Sequence, residues 1–225
     1  MNTATSDPPA GSPAPRAGRI PTAASPEQIL FAVPSITDDD VAAVTAVLRS
    51  GWITTGAEAH LLEAELAAYL GAEHVIAVSS CTAALEIALA HLELPAGARV
   101  GVPAWTFISS ALAAVHNNLH PVLLDVEPDT LNLSPAALEA ALTEGLDAVV
   151  AVHFGGVAVD RRVHKLCADA GVPLIEDAAH ALGSTDDRGR IGGVGARATC
   201  FSFYATKNLT SAEGGALATN DDELA

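Results

Sequence analysis

Lysine is rare in this sequence, and one of its two lysines has the setting of a reactive amine. Lys165 lies in a charged, helix-like segment, where we expect a solvated ammonium group. Lys207 follows the apolar, aromatic run at 200–204 and lies in a loop of small and polar residues. An amine at the end of a buried strand suits Schiff-base chemistry with an aldehyde, because desolvation exposes its nucleophilic lone pair. The alternative is an ordinary surface lysine. The groups that the fold brings near Lys207 distinguish between these two interpretations.

The segment Ser-Ser-Cys-Thr-Ala-Ala at 79–84 has the composition of an anion-binding turn. It follows a predicted strand at 74–78 and leads directly into a predicted helix. Small residues at a helix N-terminus let backbone amides approach an anion, and Thr82 adds a hydroxyl group. An ordinary helix cap would have the same composition.

Two adjacent carboxylates, Glu176 and Asp177, follow a predicted buried strand at 173–175. Buried carboxylates are costly unless a cation or a hydrogen-bond donor meets them. Strand alternation sends the two side chains to opposite faces, so they are not a paired acid and base, and one of them faces the crevice. A metal ion held by Asp177, His180 and His153 has no supporting ligand spacing, and His153 could equally be a structural hydrogen-bonding residue. We therefore predict no metal site.

The remaining groups could hold a flat ligand. Trp105, one of two tryptophans, follows a predicted strand at 99–102 and could stack on a ring, although core packing is the alternative. Ser202 adds a further hydroxyl group. With the anion-binding turn, a carboxylate and Lys207, these side chains match a flat, phosphorylated, cationic heteroaromatic aldehyde. Pyridoxal phosphate is such a molecule, because a carboxylate keeps its pyridine nitrogen protonated and a lysine holds its aldehyde.

Alternating strands and helices are predicted to position these groups. Short apolar runs ended by turn residues predict seven strands, at 74–78, 99–102, 121–124, 148–152, 173–175, 199–203 and 215–218. Helical patterns separate the earlier strands, at 82–92, 107–116, 135–142 and 160–170. This alternation predicts a three-layer α/β/α sandwich with a mainly parallel seven-stranded sheet, whose strand carboxyl ends gather the functional groups. Only a loop joins the last two strands, so one of them can run antiparallel.

The chain is predicted to have two parts. Residues 1–26 are rich in Ala, Pro, Ser, Thr and Gly without a hydrophobic period, which predicts a disordered tail. Residues 27–225 form the predicted cofactor-binding large domain. Two amphipathic helices, at 38–50 and 58–70, precede its first strand. The first of these helices is expected to turn four apolar side chains inward, those of Val41, Val44, Val47 and Leu48.

Composition and missing motifs argue against several classes of protein. The net charge of -16 argues against nucleic acid as a partner. No apolar run reaches the length of about 18 residues that a membrane span needs, and we expect no secretory leader. Three cysteines without CxxC spacing favour a reduced, cytoplasmic setting. No GxGxxG follows the first strand and no GxxxxGK[ST] occurs, so neither a dinucleotide site nor a P-loop is predicted.

Several motifs in a fixed order resemble those of one family. They are the segments 35–37, 50–56, 79–85, 103–107, 125–133, 175–183, 200–208 and 213–222. In these segments the chain resembles the DegT/DnrJ/EryC1/StrS family of sugar aminotransferases, of the fold type I pyridoxal-phosphate class. The resemblance extends from about Phe31 to the end of the chain. Its fold is expected to be that of the large domain of such an enzyme.

The resemblance implies a role for each candidate residue. Lys207 would hold the aldehyde of pyridoxal phosphate and move the proton during transfer. Asp177 would pair with the pyridine nitrogen, and Trp105 would stack on the ring. His180 would contact the side of the ring that carries the hydroxyl group. The residues that bind the phosphate would be Thr82, Ala83 and Ser202.

The resemblance also implies a reaction and its partners. An amino group would pass from an amino acid, with glutamate as the expected donor, to a keto sugar carried on a nucleotide. The full-length form would be a homodimer with its active site at the subunit interface. Related dehydratases use His in place of the lysine, and relatives that act on cyclitols or aromatic precursors stay open as alternatives. A non-catalytic or inactive fragment is a further alternative.

Three departures from the family pattern bear on these expectations. Cys81 stands where the family usually has Gly, which could tighten the phosphate-binding turn. Ala57 replaces a frequent Pro in a loop on the substrate side. Family members continue into a small C-terminal domain, so we expect this chain to be a fragment or truncated product that lacks it.

Overall fold

A computed structural model describes residues 31–193 and 195–225 of the chain. Its helices are α1 (Asp38–Ser50), α2 (Ala57–Leu70), α3 (Cys81–His91), α4 (Ser109–His116), α5 (Pro135–Glu144) and α6 (Arg161–Ala170). Its strands are β1 (His74–Val78), β2 (Arg99–Pro103), β3 (His120–Leu124), β4 (Ala148–Val152), β5 (Leu174–Asp177), β6 (Thr185–Asp186), β7 (Gly189–Arg190), β8 (Ala198–Ser202) and β9 (Gly215–Thr219). The predicted tail at 1–26 lies outside the described residues, as do residues 27–30. The small hairpin of β6 and β7 was not predicted.

Seven strands form one mainly parallel sheet in the order β1-β9-β8-β5-β4-β2-β3. The neighbours β2 and β3, β2 and β4, β4 and β5, and β5 and β8 are parallel. Strand β9 runs antiparallel to both β1 and β8. The predicted seven-stranded sheet is therefore confirmed, and so is the reversal of one of its last two strands.

Helices cover both faces of the sheet, because the strand side chains alternate between two apolar cores. In β4, Ala148 and Val150 belong to the core under α3 and α4, whereas Val149 and Ala151 belong to the core under α5 and α6. Helix α2 packs its buried Leu66 in a third cluster, with Phe201 of β8. The predicted three-layer α/β/α sandwich is confirmed.

Helix α1 differs from the prediction. Its capping box is present: the amide of Asp40 donates to Thr37 Oγ1 at 3.3 Å and the amide of Thr37 donates to Asp40 Oδ2 at 2.7 Å. Gly51 ends the helix in the left-handed region at φ 77°. No residue of α1 is buried, and Val41, Val44 and Leu48 are exposed. The prediction that this helix turns its apolar face inward was wrong for the described chain. Apolar period alone predicted the helix but could not show what covers its face.

The positions of the elements favour a site at one edge of the sheet. The compact unit that contains them runs from Pro34 to Ala225. Strands β2, β4, β5 and β8 are parallel, so their carboxyl ends meet at the same edge. Within the described residues, none of the helices is long and apolar enough to cross a membrane.

Candidate active site

Asp177 lies at the carboxyl end of β5, and its hydrogen-bond donors among the described residues are all neutral. The hydroxyl of Ser110, from α4, donates to Asp177 Oδ2 at 2.7 Å. The backbone amide of Ala179 donates to Oδ1 at 3.1 Å. The thiol of Cys81, from α3, lies 3.6 Å from Oδ1 and 3.4 Å from the carbonyl oxygen of Cys200. Asp177 is 4% exposed and, among the described residues, forms no ion pair.

Glu176 points to the opposite face of the sheet and meets two imidazoles. Its Oε1 lies 2.7 Å from His164 Nε2 and 3.3 Å from His153 Nε2. The hydroxyl of Thr199 donates to Oε2 at 2.8 Å. Burial raises the pKa of Glu176, but the hydrogen bonds and charges of His153 and His164 outweigh burial and bring it below its ordinary value. The predicted separation of the two carboxylates onto opposite faces is confirmed.

The same arrangement bears on the alternative metal site. His153 is buried on the Glu176 side, where its Nδ1 accepts the amide of Val159 at 3.1 Å. Asp177 lies on the other face, so His153, Asp177 and His180 do not converge on one point. His153 is a structural hydrogen-bonding residue in this fold.

The N-terminus of α3 lies beside β9 and offers two backbone donors. Ser80 caps the helix, accepting the amide of Ala83 on its hydroxyl at 3.1 Å and that of Ala84 on its carbonyl at 3.1 Å. The amides of Cys81 and Thr82 have no acceptor among the described residues, so they are available to an anion. The predicted contribution of the Ala83 amide would therefore compete with the cap, whereas Thr82 is free to contribute.

Glycine at 215 allows this close approach of β9 to α3. A Cβ atom at Gly215 would come within 2.6 Å of Cys81 N and would also meet the carbonyl carbon of Ser80. Gly215 pairs with Ser202 across the β8–β9 ladder. Ser202, which is half-buried, therefore lies across the ladder from the residue that contacts the α3 N-terminus.

Lys207 lies in the loop between β8 and β9 and is half-buried. No acid of the described chain pairs with its amine, whereas Lys165 pairs with Asp169 Oδ2 at 2.6 Å and is exposed. Burial lowers the pKa of His180, the positive charge of Lys207 lowers it further, and Asp177 opposes both. The charge of Lys207 also lowers the pKa of Cys81, which burial and then Asp177 raise well above its ordinary value. The charges of Lys207 and Asp177 therefore both act on His180 and on Cys81.

Three aromatic rings pack in a row. Trp105 meets Phe154 edge to face with ring centroids 6.1 Å apart, and Phe154 meets His180 in the same way at 6.4 Å. Trp105 is 54% exposed, so the core-packing alternative for it is not supported. An exposed indole of this kind can stack on a flat ligand.

These groups fit pyridoxal phosphate. Within residues 31–193 and 195–225, Asp177 is a buried negative charge without a cation, the α3 N-terminus has two amides without an acceptor, and Lys207 is an amine without an acid. Sequence reasoning missed Ser110, because a serine within a helix pattern carries no local signal of its partner. It noticed Cys81 only as a departure from the family pattern and did not predict its contact with Asp177.

Known proteins are similar to this chain in sequence and in fold. A profile of the DegT/DnrJ/EryC1/StrS aminotransferase family matches residues 34–225. The spore coat polysaccharide biosynthesis protein SpsC of Bacillus subtilis (strain 168) is 43% identical over 196 residues, which cover 87% of this chain and 50% of SpsC. The chain thus spans about half the length of this curated relative.

Solved structures agree with the sequence match. Spr1654 of Streptococcus pneumoniae, a proposed sugar aminotransferase solved in its PLP form, has a TM-score of 0.82 and 34% identity, covering 88% of this chain and 54% of Spr1654. PseC of Helicobacter pylori, an aminotransferase involved in the biosynthesis of pseudoaminic acid, has a TM-score of 0.81 and 32% identity, covering 87% and 53%. The chain therefore belongs to the DegT/DnrJ/EryC1/StrS aminotransferase family.

Proposed function

We propose that this chain is the cofactor-binding part of a pyridoxal-phosphate-dependent aminotransferase. The observation that carries the proposal is the environment of Asp177, a buried carboxylate that has neutral donors and no cation within the described chain. A buried charge of this kind is costly unless a cation meets it. A protonated pyridine nitrogen would supply that cation.

The chain's own residues would each supply one part of the reaction. Asp177 would hold the ring nitrogen protonated, and Trp105 would orient the ring. Thr82, with Ser202 across from Gly215, would hold the phosphate at the α3 N-terminus, and His180 would contact the ring edge. Lys207 would hold the aldehyde carbon and carry a proton to and from the reacting carbon. When bound, the pyridine ring supplies an electron sink for negative charge at that carbon.

The relatives support a sugar as the amino acceptor. SpsC is a spore coat polysaccharide biosynthesis protein, and PseC is an aminotransferase involved in the biosynthesis of pseudoaminic acid. We infer a keto sugar linked to a nucleotide as the acceptor and glutamate as the donor. A homodimer in the full-length form and a cytoplasmic setting belong to the same proposal.

Reductive labelling tests the proposed role of Lys207. The chain is incubated with pyridoxal phosphate, reduced with sodium borohydride and digested, and the labelled peptide is identified by mass. We expect one cofactor on the peptide that contains Lys207. Lys165→Arg is the matched control, because Lys165 is the only other lysine, and it should leave the label unchanged. Lys207→Arg should abolish the label, and a label on Lys165 alone would contradict the proposal.

A second measurement tests the reaction. The chain is incubated with glutamate and candidate keto sugars linked to nucleotides, and products are identified by mass. An aminated sugar is the expected product, since Lys207 stands where the dehydratases have His. A deoxygenated sugar would instead indicate a dehydratase. A labelled Lys207 without any product would show a cofactor-binding module that does not turn over.

A further inference from the structure

Two hydroxyl groups form a hydrogen-bonded chain that ends at Asp177. Thr106 Oγ1 lies 2.7 Å from Ser110 Oγ, and Ser110 Oγ lies 2.7 Å from Asp177 Oδ2. Ser110 is fully buried and Thr106 is half-buried. Both groups come from the start of α4 and the turn before it, so the contact joins α4 to the end of β5.

The direction of the protons follows from the acceptors. Ser110 has one proton and three acceptors within reach: Asp177 Oδ2, Thr106 Oγ1 and the carbonyl oxygen of Phe107 at 3.2 Å. An ionised carboxylate is the strongest of these acceptors, and 2.7 Å is the length expected of a charge-assisted O–H···O bond. Ser110 therefore donates to Asp177, and its own oxygen accepts the proton of Thr106.

The two carboxylate oxygens differ in how they are held. Oδ1 accepts the Ala179 amide and lies within reach of the Cys81 thiol. Oδ2 has Ser110 as its only donor among the described residues. Loss of the Ser110 hydroxyl would therefore leave Oδ2 without a buried donor, and the orientation of the carboxylate would depend on the contacts of Oδ1 alone.

We propose that Ser110, oriented by Thr106, is a positioning residue that holds Asp177 in the orientation that pairs with a ring nitrogen. This inference rests on the proposed function, because it assigns Ser110 a role toward the same cofactor. It predicts that Ser110 affects ligand binding through the ring nitrogen and through no other part of the ligand.

Two ligands that differ only at the ring nitrogen test this prediction. Dissociation constants are measured by fluorescence quenching for pyridoxal phosphate and for its deaza analogue, in which a CH group replaces the ring nitrogen. In Ser110→Ala we expect binding of pyridoxal phosphate to weaken about tenfold, the scale of one hydrogen bond to a charged group. Binding of the deaza analogue should change less than about twofold, because it has no nitrogen for Asp177 to hold.

Three further variants separate positioning from folding. Ser110→Thr restores the hydroxyl and should restore most of the difference between the two ligands. Ser109→Ala is the matched control, because Ser109 is the buried neighbour in α4 and donates no hydrogen bond to Asp177. Thr106→Val should weaken pyridoxal phosphate alone by about threefold, since it removes a neutral hydrogen bond one step away. This variant keeps the proposal testable if Ser110→Ala does not fold.

The outcomes are distinct. Equal weakening of both ligands in Ser110→Ala and in Thr106→Val would show a merely structural role and would overturn the inference. Unchanged binding of pyridoxal phosphate in both variants would also overturn it, while a wild-type label on Lys207 would leave the proposed function standing. If the wild-type chain binds no pyridoxal phosphate, the proposed function and this inference fail together, and the wild-type measurement alone shows it.

Discussion

Asp177 and Glu176 are adjacent carboxylates at the end of one strand, and the fold treats them in opposite ways. Glu176 is 1% exposed and Asp177 is 4% exposed, so both are removed from water. Glu176 meets two histidines and a hydroxyl that enclose it. Asp177 meets a hydroxyl, an amide and a thiol, none of which carries positive charge.

The difference distinguishes a carboxylate that the fold satisfies, Glu176, from the one to which we assign a function, Asp177. The partners of Glu176 come from the residue that follows β4, from α6 and from β8, and they satisfy its carboxylate oxygens within the described chain. The partners of Asp177 orient its charge and leave it unneutralised, on the side of the sheet that faces the crevice. A ligand that brings a cation would complete the environment of Asp177, whereas Glu176 needs none.

The largest expected effect is on stability, from the enclosed carboxylate. Glu176→Gln removes the charge that His153 and His164 face and leaves their N–H groups with a weaker acceptor. We expect the free energy of unfolding to fall by about 3–5 kcal/mol, because several hydrogen bonds to a buried, charged carboxylate are weakened together. Chemical denaturation of the chain without cofactor measures it. A loss below about 1 kcal/mol would show that the Glu176 cluster does not stabilise the fold.

The matching variant on the other face is expected to spare stability and remove function. Asp177→Asn keeps the shape and the acceptor oxygen, so we expect its free energy of unfolding to change by no more than about 1 kcal/mol. Its rate of amino transfer should fall by about 100- to 1,000-fold, the scale of losing one preorganised electrostatic partner. Stopped-flow absorbance of the loaded protein with glutamate measures the rate. If Glu176→Gln lost as much activity per folded molecule, the two faces would not be separable.

The sequence predicted the elements and the placement of both carboxylates, because these features depend on local order. Apolar runs and helical periods defined the seven main strands, and strand alternation separated Glu176 from Asp177. The contact of Ser110 with Asp177 joins residues 67 positions apart, and it depends on where α4 lies across β5. No local pattern encodes that position. The exposed face of α1 was mispredicted for a related reason, since a period shows that a face is apolar but not what covers it.

A smaller effect is expected where β9 approaches the Asp177 side of the sheet. Gly215→Ala would place a methyl group against the backbone of Ser80 and Cys81, which cannot yield as a side chain can. We expect a loss of about 1–3 kcal/mol in stability, the range for overpacking, together with weaker binding of the cofactor phosphate. Gly101→Ala is the matched control in β2. Its methyl group would meet the ends of Leu146 and Leu124 at 2.9 and 3.0 Å, and these flexible side chains can shift.

The smallest effect is a difference in pH dependence that isolates Glu176. Its pKa is lowered in the folded chain, so below the ordinary value of 4.5 the unfolded chain binds a proton that the folded chain does not. The stability that Glu176 contributes is therefore fully present above pH 4.5 and is lost as the pH falls, by at most about 1.4 kcal/mol per pH unit. Denaturation at pH 3 to 6 should show wild type and Glu176→Gln converging toward acid. Glu139→Gln, which changes an exposed carboxylate of α5, controls for net charge. If the free energies of unfolding of wild type and Glu176→Gln differed by the same amount from pH 6 down to pH 3, the assignment of a charged Glu176 would be contradicted.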